Sequence, residues 1–173
     1  PERLAITGPN GSGKSTLLAL IAGTLTRWSG SVRVGVPFAL FDQRVALLDP
    51  LLSIADNFLR RNPGVGNNAC RAALARFRFR ADAADRIVGT LSGGQMLRAG
   101  LACVLGAPQP PQMLILDEPG NHLDLDSLAA IETGLAAYDG ALIVVSHDPA
   151  FLDAIGVSRE LALGDDRDHP PPG

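Results

Sequence analysis

The chain contains one glycine-rich segment that few folds can accommodate, and its nine residues are Gly8, Pro9, Asn10, Gly11, Ser12, Gly13, Lys14, Ser15 and Thr16. They fit the pattern G-x-x-x-x-G-K-[ST], in which glycines let the backbone wrap a phosphate with its N–H groups pointing inward. The apolar run 4–7 before the segment predicts a buried parallel strand. The residues that recur after it at helical spacing are Leu17, Leu18, Ile21 and Leu25. This motif requires a strand, the loop and then a helix, so a chance glycine-rich turn is disfavoured.

Lys14 is the only lysine of the chain, although lysine and arginine together number 15. A drift of base composition toward arginine accounts for the other basic positions but not for this one. Lysine is a compact point charge on a flexible stem, whereas arginine is a rigid fork. We therefore predict that Lys14 reaches the β- and γ-phosphates of a nucleotide and that the Ser15 hydroxyl binds Mg²⁺.

Composition excludes several other classes of protein. The length of 173 residues is that of about one domain, and 46% hydrophobic with 19% charged residues excludes disorder for most of it. A net charge of -3 lacks the basic surplus typical of a free-standing nucleic-acid-binding module. Two cysteines, Cys70 and Cys103, suit a reducing cytosol, and no run of ~18 apolar residues is present. These features favour a cytoplasmic protein.

A second apolar run, 113–116, ends in two acids, Asp117 and Glu118. Its lack of alternation predicts a strand covered on both faces, as in a parallel sheet under helices. Because ligands of such sheets bind at the carboxyl ends of the strands, both acids would emerge beside the phosphate loop. Asp117 fits a Mg²⁺ ligand that acts through water, and Glu118 fits the base that orients or deprotonates the attacking water. The alternative, a surface acidic turn, is disfavoured by the phosphate loop upstream.

The run 141–146 predicts another buried strand of the same sheet, and His147 follows it. A lone histidine after a strand is more often a packing or capping residue. Here the end of the strand faces the same crevice as the two acids. His147 is therefore a candidate contact of the γ-phosphate.

A further candidate anion site precedes a helix predicted over 96–106, in which Leu97, Leu101 and Leu105 recur every four residues. Ser92 would cap that helix, and the glycines after it would leave backbone N–H groups open. The alternative is an ordinary capped helix. The residues of this segment are Leu91, Ser92, Gly93, Gly94 and Gln95.

Together with Gln43 after the apolar stretch 38–42 and the triplet 146–148, these motifs resemble the nucleotide-binding domain of the ATP-binding cassette (ABC) family. The resemblance covers nearly the whole chain. It implies an α/β fold, a P-loop NTPase core with a mostly parallel sheet flanked by helices, plus an inserted α-helical subdomain. It divides the single domain 1–173 into an ATPase core at 1–48 and 106–165, a helical subdomain at 49–105 that carries the signature motif, and a disordered tail at 166–173.

In this family two cassettes pair head to tail, and the cofactors are ATP and Mg²⁺. The resemblance therefore implies that the signature residues 91–95 act on ATP held by a second cassette, and that one copy alone hydrolyses ATP poorly. Gln43 would sense Mg²⁺ and the attacking water, or else is a surface residue at a strand end. The implied dimer-contact loop comprises Asn121, His122, Leu123 and Asp124.

The stretch 117–126 reads D-E-P-G-N-H-L-D-L-D and is similar to that of the F subfamily, whose members usually read D-E-P-T-N-H-L-D. That subfamily consists of soluble twin-cassette proteins, many of which act on ribosomes and some of which protect against antibiotics. A ribosome or RNA partner is therefore implied. Gly120 stands where threonine is usual, which loosens the turn after the catalytic acid. The alternatives are the ATP-binding subunit of a membrane transporter, held by a membrane-domain partner, and a nucleotide-binding regulator without turnover.

Some features remain open to two interpretations. Family members begin with antiparallel strands and an aromatic residue that stacks on adenine, both of which we expect upstream of Pro1 in a longer polypeptide. Trp28 is better interpreted as a packing or surface residue than as a substitute for that aromatic, because it follows the first helix at the end far from the phosphates. A solvated face or an RNA contact would be formed by Arg71, Arg76, Arg78, Arg80 and Arg86.

Overall fold

A sheet of five strands lies at the centre of the computed structural model, which describes residues 1–26, 29–42, 45–120 and 123–164. The strands stand in the order β2-β3-β4-β1-β5. Every pairing between neighbouring strands is parallel, which confirms the predicted α/β class. Their bounds are β1 (Arg3–Thr7), β2 (Phe38–Phe41), β3 (Met113–Asp117), β4 (Ala141–Val145) and β5 (Arg159–Ala162).

Helices fill the connections between these strands. Two short 3-10 helices cover Ala81–Asp85 and Val88–Thr90. Within the ranges that the structure describes, no helix is both long and apolar enough to cross a membrane. The α-helices of these ranges are α1 (Lys14–Ile21), α2 (Ile54–Arg61), α3 (Asn67–Arg76), α4 (Gly93–Leu105), α5 (Leu125–Ala136) and α6 (Pro149–Ala154).

Alternate strand residues pack on opposite faces of the sheet. On one face Ile6, Ile115 and Val145 form an apolar cluster with Leu18 of α1. On the other face Leu114 and Val144 belong to a larger cluster, which also contains side chains from each of the helices α2 to α6. Both faces are therefore covered. This is why β3 and β4 are apolar runs without alternation.

The first helix is shorter than its apolar spacing predicts. It ends at Ile21, with Ala22 as its C-cap, and Gly23 follows with a φ of 72°. A left-handed glycine at this place ends a helix, because the chain then turns away from the helix axis. Leu25 accordingly lies beyond the helix and is 46% exposed. The prediction that Leu25 continues the apolar face of α1 is wrong.

The segment between β2 and β3 carries α2, α3 and α4. Ser53 is the N-cap of α2, because its Oγ accepts a hydrogen bond from the backbone N–H of Asp56 at 3.0 Å. Buried side chains of the three helices belong to the same apolar cluster as the sheet. The division into an ATPase core at 1–48 and 106–165 and a helical subdomain at 49–105 stays a prediction.

Both cysteines lie in this cluster and are expected to be unreactive while the protein is folded. Cys70 and Cys103 are unpaired and each only 1% exposed. Burial raises the pKa of Cys70 and raises that of Cys103 to about 12. Since the thiolate is the reactive form, Ellman's reagent at pH 8 should modify neither thiol in the native protein and both in guanidinium. Rapid modification of either cysteine in the native state would contradict the packing described here.

Candidate functional site

A cavity of about 350 Å³ lies at the carboxyl ends of β1, β3 and β4. It brings the phosphate loop together with the two acids that follow the apolar run 113–116. The carboxyl ends of the strands form the edge of a parallel sheet at which ligands bind. The cavity is lined by Asn10, Gly11, Gly13, Lys14, Ser15, Thr16, Asp117, Glu118 and Val145.

The phosphate loop presents unpaired backbone donors to this cavity. Gly13 is the N-cap of α1 and provides no side-chain cap, so the first N–H groups of the helix have no intrahelical acceptor. Lys14 is only 8% exposed, and its Nζ donates to the carbonyl oxygens of Gly8 at 2.7 Å and Pro9 at 3.0 Å. The ammonium group thus lies inside the loop, where it can be redirected to a phosphate.

Two glycines of the loop have left-handed backbones but differ in the space around them. Gly8 has a φ of 138°, and a Cβ there would lie 2.4 Å from the carbonyl oxygen of Leu163. Gly11 has a φ of 85° and no heavy atom within 4 Å of the same position. Gly8→Ala must therefore displace the backbone of Leu163 or of the loop. Gly11→Ala only strains the backbone of residue 11 itself.

We expect Gly8→Ala to lower the free energy of unfolding by roughly 2–5 kcal/mol, the sum of backbone strain and overpacking. Gly11→Ala is the matched control, and strain alone should reduce that free energy by about 1–2 kcal/mol. Denaturant unfolding of the two variants measures the difference. Equal losses would show that contact with the backbone after β5 does not constrain the loop.

Asp117 is the last residue of β3 and pairs with Val145 of β4. Its Oδ1 is buried and has no hydrogen-bond partner in the described part of the chain, which is unfavourable unless a ligand satisfies it. Ser15 lines the same cavity. Carboxylate and hydroxyl oxygens suit Mg²⁺, so these residues fit the predicted ion. Among the described residues there is no group of three or more His, Cys, Asp or Glu that could hold a metal ion.

Glu118 adopts an unusual backbone conformation, with a φ of 51°. Its N–H donates to the carbonyl oxygen of Val145 at 2.9 Å. The Glu118 Oε1 lies 3.4 Å from Nε2 of His147, and the two side chains are 18% and 49% exposed. A left-handed conformation is strained for a non-glycine residue, and such strained residues cluster at functional sites. His147 is not among the residues that line the cavity, so its contact with a γ-phosphate stays a prediction.

The signature segment leads into α4 and lies outside this cavity. Ser92 and Gln95 form a capping box, in which the Gln95 N–H donates to Ser92 Oγ and the Ser92 N–H donates to Gln95 Oε1, each at 3.3 Å. Ser92 and Gly93 are exposed, whereas Leu91 and Gly94 are buried. None of the residues 91–95 lines the phosphate cavity. The predicted action of this segment on the ATP of a second cassette stays a prediction.

Of the predicted dimer-contact loop, Leu123 and Asp124 are described. Asp124 is the N-cap of α5, and its carboxylate accepts hydrogen bonds from Ser127 Oγ at 2.7 Å and from Ser127 N–H at 2.8 Å. These bonds hold the pKa of Asp124 below its usual value. The cap thus stabilises the folded protein at pH values above the ordinary pKa of a carboxyl group. This contribution is lost as the pH falls through the lowered pKa of Asp124.

Arg98, which no sequence pattern predicted to matter, lies on α4 three residues after the signature segment. It is 8% exposed, and its guanidinium carbon lies 4.6 Å from the centroid of the Phe79 ring. Burial lowers its pKa, and its Nε has no hydrogen-bond partner within the described ranges. The only sequence signal was an arginine inside an otherwise apolar helix.

Two of the five predicted arginines form ion pairs at the surface. Arg71 pairs with Asp85 at 2.8 Å and Arg78 with Asp126 at 2.6 Å, which favours a solvated face over an RNA contact for these two. Arg76, Arg80 and Arg86 are exposed as well, and for them both interpretations stay open.

The remaining predicted residues lie outside the described ones, so their predicted roles stay predictions: Trp28, Gln43, Asn121, His122 and the tail 166–173.

Comparisons with known proteins show the family of the chain. A family model described as "ABC transporter" matches residues 1–121. The chain is 37% identical over 172 residues to the "ATP-binding protein Uup-like" of Haemophilus influenzae, covering 96% of this chain and 37% of that protein. It is 38% identical over 168 residues to "ABC transporter F family member 5" of Arabidopsis thaliana, covering 95% and 24%. The chain therefore spans less than two fifths of the length of either relative.

A solved structure shares the fold. It is described as the dimeric structure of a post-hydrolysis state of the ATP-binding cassette MJ0796 bound to ADP and Pi. Its TM-score is 0.76 at 23% sequence identity, and the match covers 99% of this chain and 86% of that one.

Proposed function

Because the chain belongs to the ABC transporter family and is one of its ATP-binding cassettes, we propose that it hydrolyses ATP as one half of an F-type twin-cassette protein that acts on the ribosome. The observation that carries the hydrolysis is the shared cavity. Lys14, Ser15, Asp117 and Glu118 line one space at the carboxyl ends of the strands. A regulator without turnover would not need a carboxylate placed as Glu118 is.

Each group has a distinct task in this proposal. The N–H groups at the start of α1 and the Lys14 ammonium bind the β- and γ-phosphates. The Glu118 carboxylate accepts a proton from water as the water oxygen bonds to the γ-phosphorus and the bond to the ADP oxygen breaks. His147 lies 3.4 Å from that carboxylate and keeps it directed at the water. Bound Mg²⁺, held by Ser15 and Asp117, would neutralise charge on the phosphate oxygens.

A second cassette completes the site in this proposal. The exposed Ser92 and Gly93 lie at the start of α4, outside the cavity of their own chain. Head-to-tail pairing would place these groups against the triphosphate of a partner cassette. We therefore propose that efficient turnover needs two cassettes, whether in one polypeptide or in two.

The F-type assignment is supported by the relatives. One of them is named as an F family member. The stretch 117–124 matches the F-type pattern except at Gly120. Apart from the two chain neighbours of Gly120, no heavy atom of the described residues lies within 4 Å of a Cβ position there. By analogy, we propose a cytoplasmic protein with the ribosome as its partner.

A second candidate is the ATP-binding subunit of a membrane transporter, which the description of the matching family favours. Purification of the full-length protein from its natural host distinguishes the two. Stable co-purification of membrane subunits, without a second cassette in the same polypeptide, would favour the transporter.

The ribosome proposal is tested by sedimentation of the full-length protein that contains this chain. In the variant, Glu118 and the corresponding glutamate of the second cassette are both replaced by glutamine. We expect this variant to migrate with ribosomes when ATP is present. When ADP replaces ATP, the variant should stay at the top of the gradient. Turnover by the wild-type protein is measured separately. Turnover without ribosome binding would support the proposed ATP hydrolysis and reject the proposed role on the ribosome.

A further inference from the structure

Asn10 and Gly11 form the only Asn–Gly pair of the sequence, and the pair lies in the wall of the phosphate cavity. Both residues are exposed to solvent. An asparagine side chain loses ammonia most readily before glycine, because glycine has no Cβ to hinder attack by its backbone nitrogen. The other asparagines of the sequence precede phenylalanine, proline, asparagine, alanine or histidine. A chemically labile pair thus lies where the proposed function places a triphosphate.

The groups of this pair that would react are free of hydrogen bonds. Within the described ranges neither the Asn10 side-chain amide nor the Gly11 N–H has a hydrogen-bond partner. The turn is closed by the Ser12 N–H, which donates to the carbonyl oxygen of Pro9 at 3.2 Å, the long end of the range for such bonds. Gly11 is surrounded by open space, as described above. The Gly11 nitrogen can therefore approach the Asn10 Cγ whenever this turn opens.

Three other asparagines are held more firmly. Asn57 and Asn62 are 3% and 8% exposed, and Nδ2 of each donates to two backbone carbonyl oxygens. Asn68 is exposed, but it lies within α3 and precedes Ala69. The backbone nitrogen after Asn68 is therefore fixed in a helical turn. Asn10 differs from these three in its freedom and in the glycine that follows it.

We propose that Asn10 is a modification site, at which the nucleotide-free protein loses ammonia and its phosphate loop gains a carboxylate. The Gly11 nitrogen bonds to the Asn10 Cγ, its proton passes to the side-chain nitrogen, and the bond from Cγ to Nδ2 breaks to release ammonia. Water then opens the cyclic imide at either carbonyl, which leaves aspartate or isoaspartate. One amide and one water become one acid and one ammonia, with no change of oxidation state.

The new carboxylate would oppose the binding of ATP, an expectation that rests on the proposed function. Lys14 is the one cation among the described residues of the cavity wall, where Asp117 and Glu118 already supply two carboxylates. Because like charges at a binding site are strongly unfavourable, we expect the modified protein to bind ATP at least ~10-fold more weakly. Isoaspartate would also lengthen the backbone of the loop by one carbon and redirect its N–H groups.

Bound nucleotide should protect the loop from this reaction. Phosphate oxygens that accept hydrogen bonds from the loop keep its turn closed, so the Gly11 nitrogen cannot reach the Asn10 side chain. The modification would then accumulate in molecules whose cavity stays empty. The protein would lose its affinity for ATP according to the time it spends without nucleotide.

The test follows the peptide that contains Asn10 by mass spectrometry. The full-length protein that includes this chain is incubated at neutral pH, either without nucleotide or with ADP and Mg²⁺, beside a synthetic peptide of residues 7–14. Without nucleotide, we expect conversion to be slower than in the peptide by at most ~30-fold, since opening the turn breaks its hydrogen bond and disturbs the contact of Lys14 with Pro9. ADP at about 100 times its Kd should slow conversion at least ~10-fold further.

Asn68 is the internal control and should stay unmodified in every sample. Gly11→Ala should suppress the conversion of Asn10, because its methyl group hinders the attacking nitrogen. Asn10→Asp should show the weakened binding of ATP without any incubation, and circular dichroism verifies the fold of both variants.

Two results would overturn the proposal. One is conversion in the nucleotide-free protein more than ~30-fold slower than in the peptide. The other is an equal rate with and without ADP when calorimetry shows that ADP is bound. Conversion of Asn10 in a protein that binds no nucleotide would instead reject the proposed ATP site and support the modification.

Discussion

Replacing Lys14 by alanine is expected to weaken the binding of ATP with Mg²⁺ by at least ~30-fold, because the β- and γ-phosphates lose a desolvated charge partner. The ammonium group is nearly buried and already directed into the loop by two backbone carbonyls. Lys14→Arg should restore little of the affinity, since a planar fork does not fit the place of a point charge. Isothermal titration of the full-length protein measures both variants.

The control for this experiment is Arg60→Ala, which removes a basic side chain that is 68% exposed and paired with Asp49 at the surface. Its affinity for ATP should equal that of the wild type. Thermal unfolding of each variant separates loss of the site from loss of the fold. A folded Lys14→Ala protein with unchanged ATP affinity would remove the phosphate-loop assignment.

Glu118→Gln should reduce turnover by about 10²- to 10⁴-fold while leaving ATP affinity intact. The amide keeps the shape and hydrogen-bonding capacity of the side chain but cannot accept the proton of water. The protein should therefore accumulate in an ATP-bound state with its cassettes closed. Steady-state phosphate release measures the first effect, and size-exclusion chromatography with ATP measures the second.

Glu132→Gln provides the matched control, because it is the same chemical change on α5, away from the cavity wall. Its turnover should equal that of the wild type. If Glu118→Gln hydrolyses ATP at the wild-type rate, another group must accept the proton, and Glu118 has no role as the base.

The sheet could be predicted from the sequence where burial is complete. The strands β3 and β4 have apolar residues on both faces, so they read as continuous runs. Ser92 as an N-cap was predictable because a small side chain with an oxygen is favoured there, and Gln95 three residues later completes a capping box. The juxtaposition of Asp117 and Glu118 with the loop follows from the geometry of parallel strands.

Other features depend on contacts that no local pattern reports. β5 was not predicted, because Arg159–Ala162 is exposed throughout, so its pairing with β1 leaves no apolar pattern in the sequence. The end of α1 depends on the backbone of Gly23 rather than on apolar spacing, which continues to Leu25. The buried position of Arg98 depends on the ring of Phe79, which lies on a distant part of the chain.

The strand order has a consequence for the synthesis of the protein. β1 is made first, but its two neighbours in the sheet are β4 and β5, and Arg3 pairs with Leu142. About 140 residues must therefore leave the ribosome before β1 finds a partner, which takes roughly 7–30 s at ordinary elongation rates. During that interval the apolar segment around Ala5 and Ile6 is an unpaired strand that can associate with other nascent chains. Slow translation between β3 and β4 should therefore increase aggregation, and a chaperone that binds β1 should reduce it.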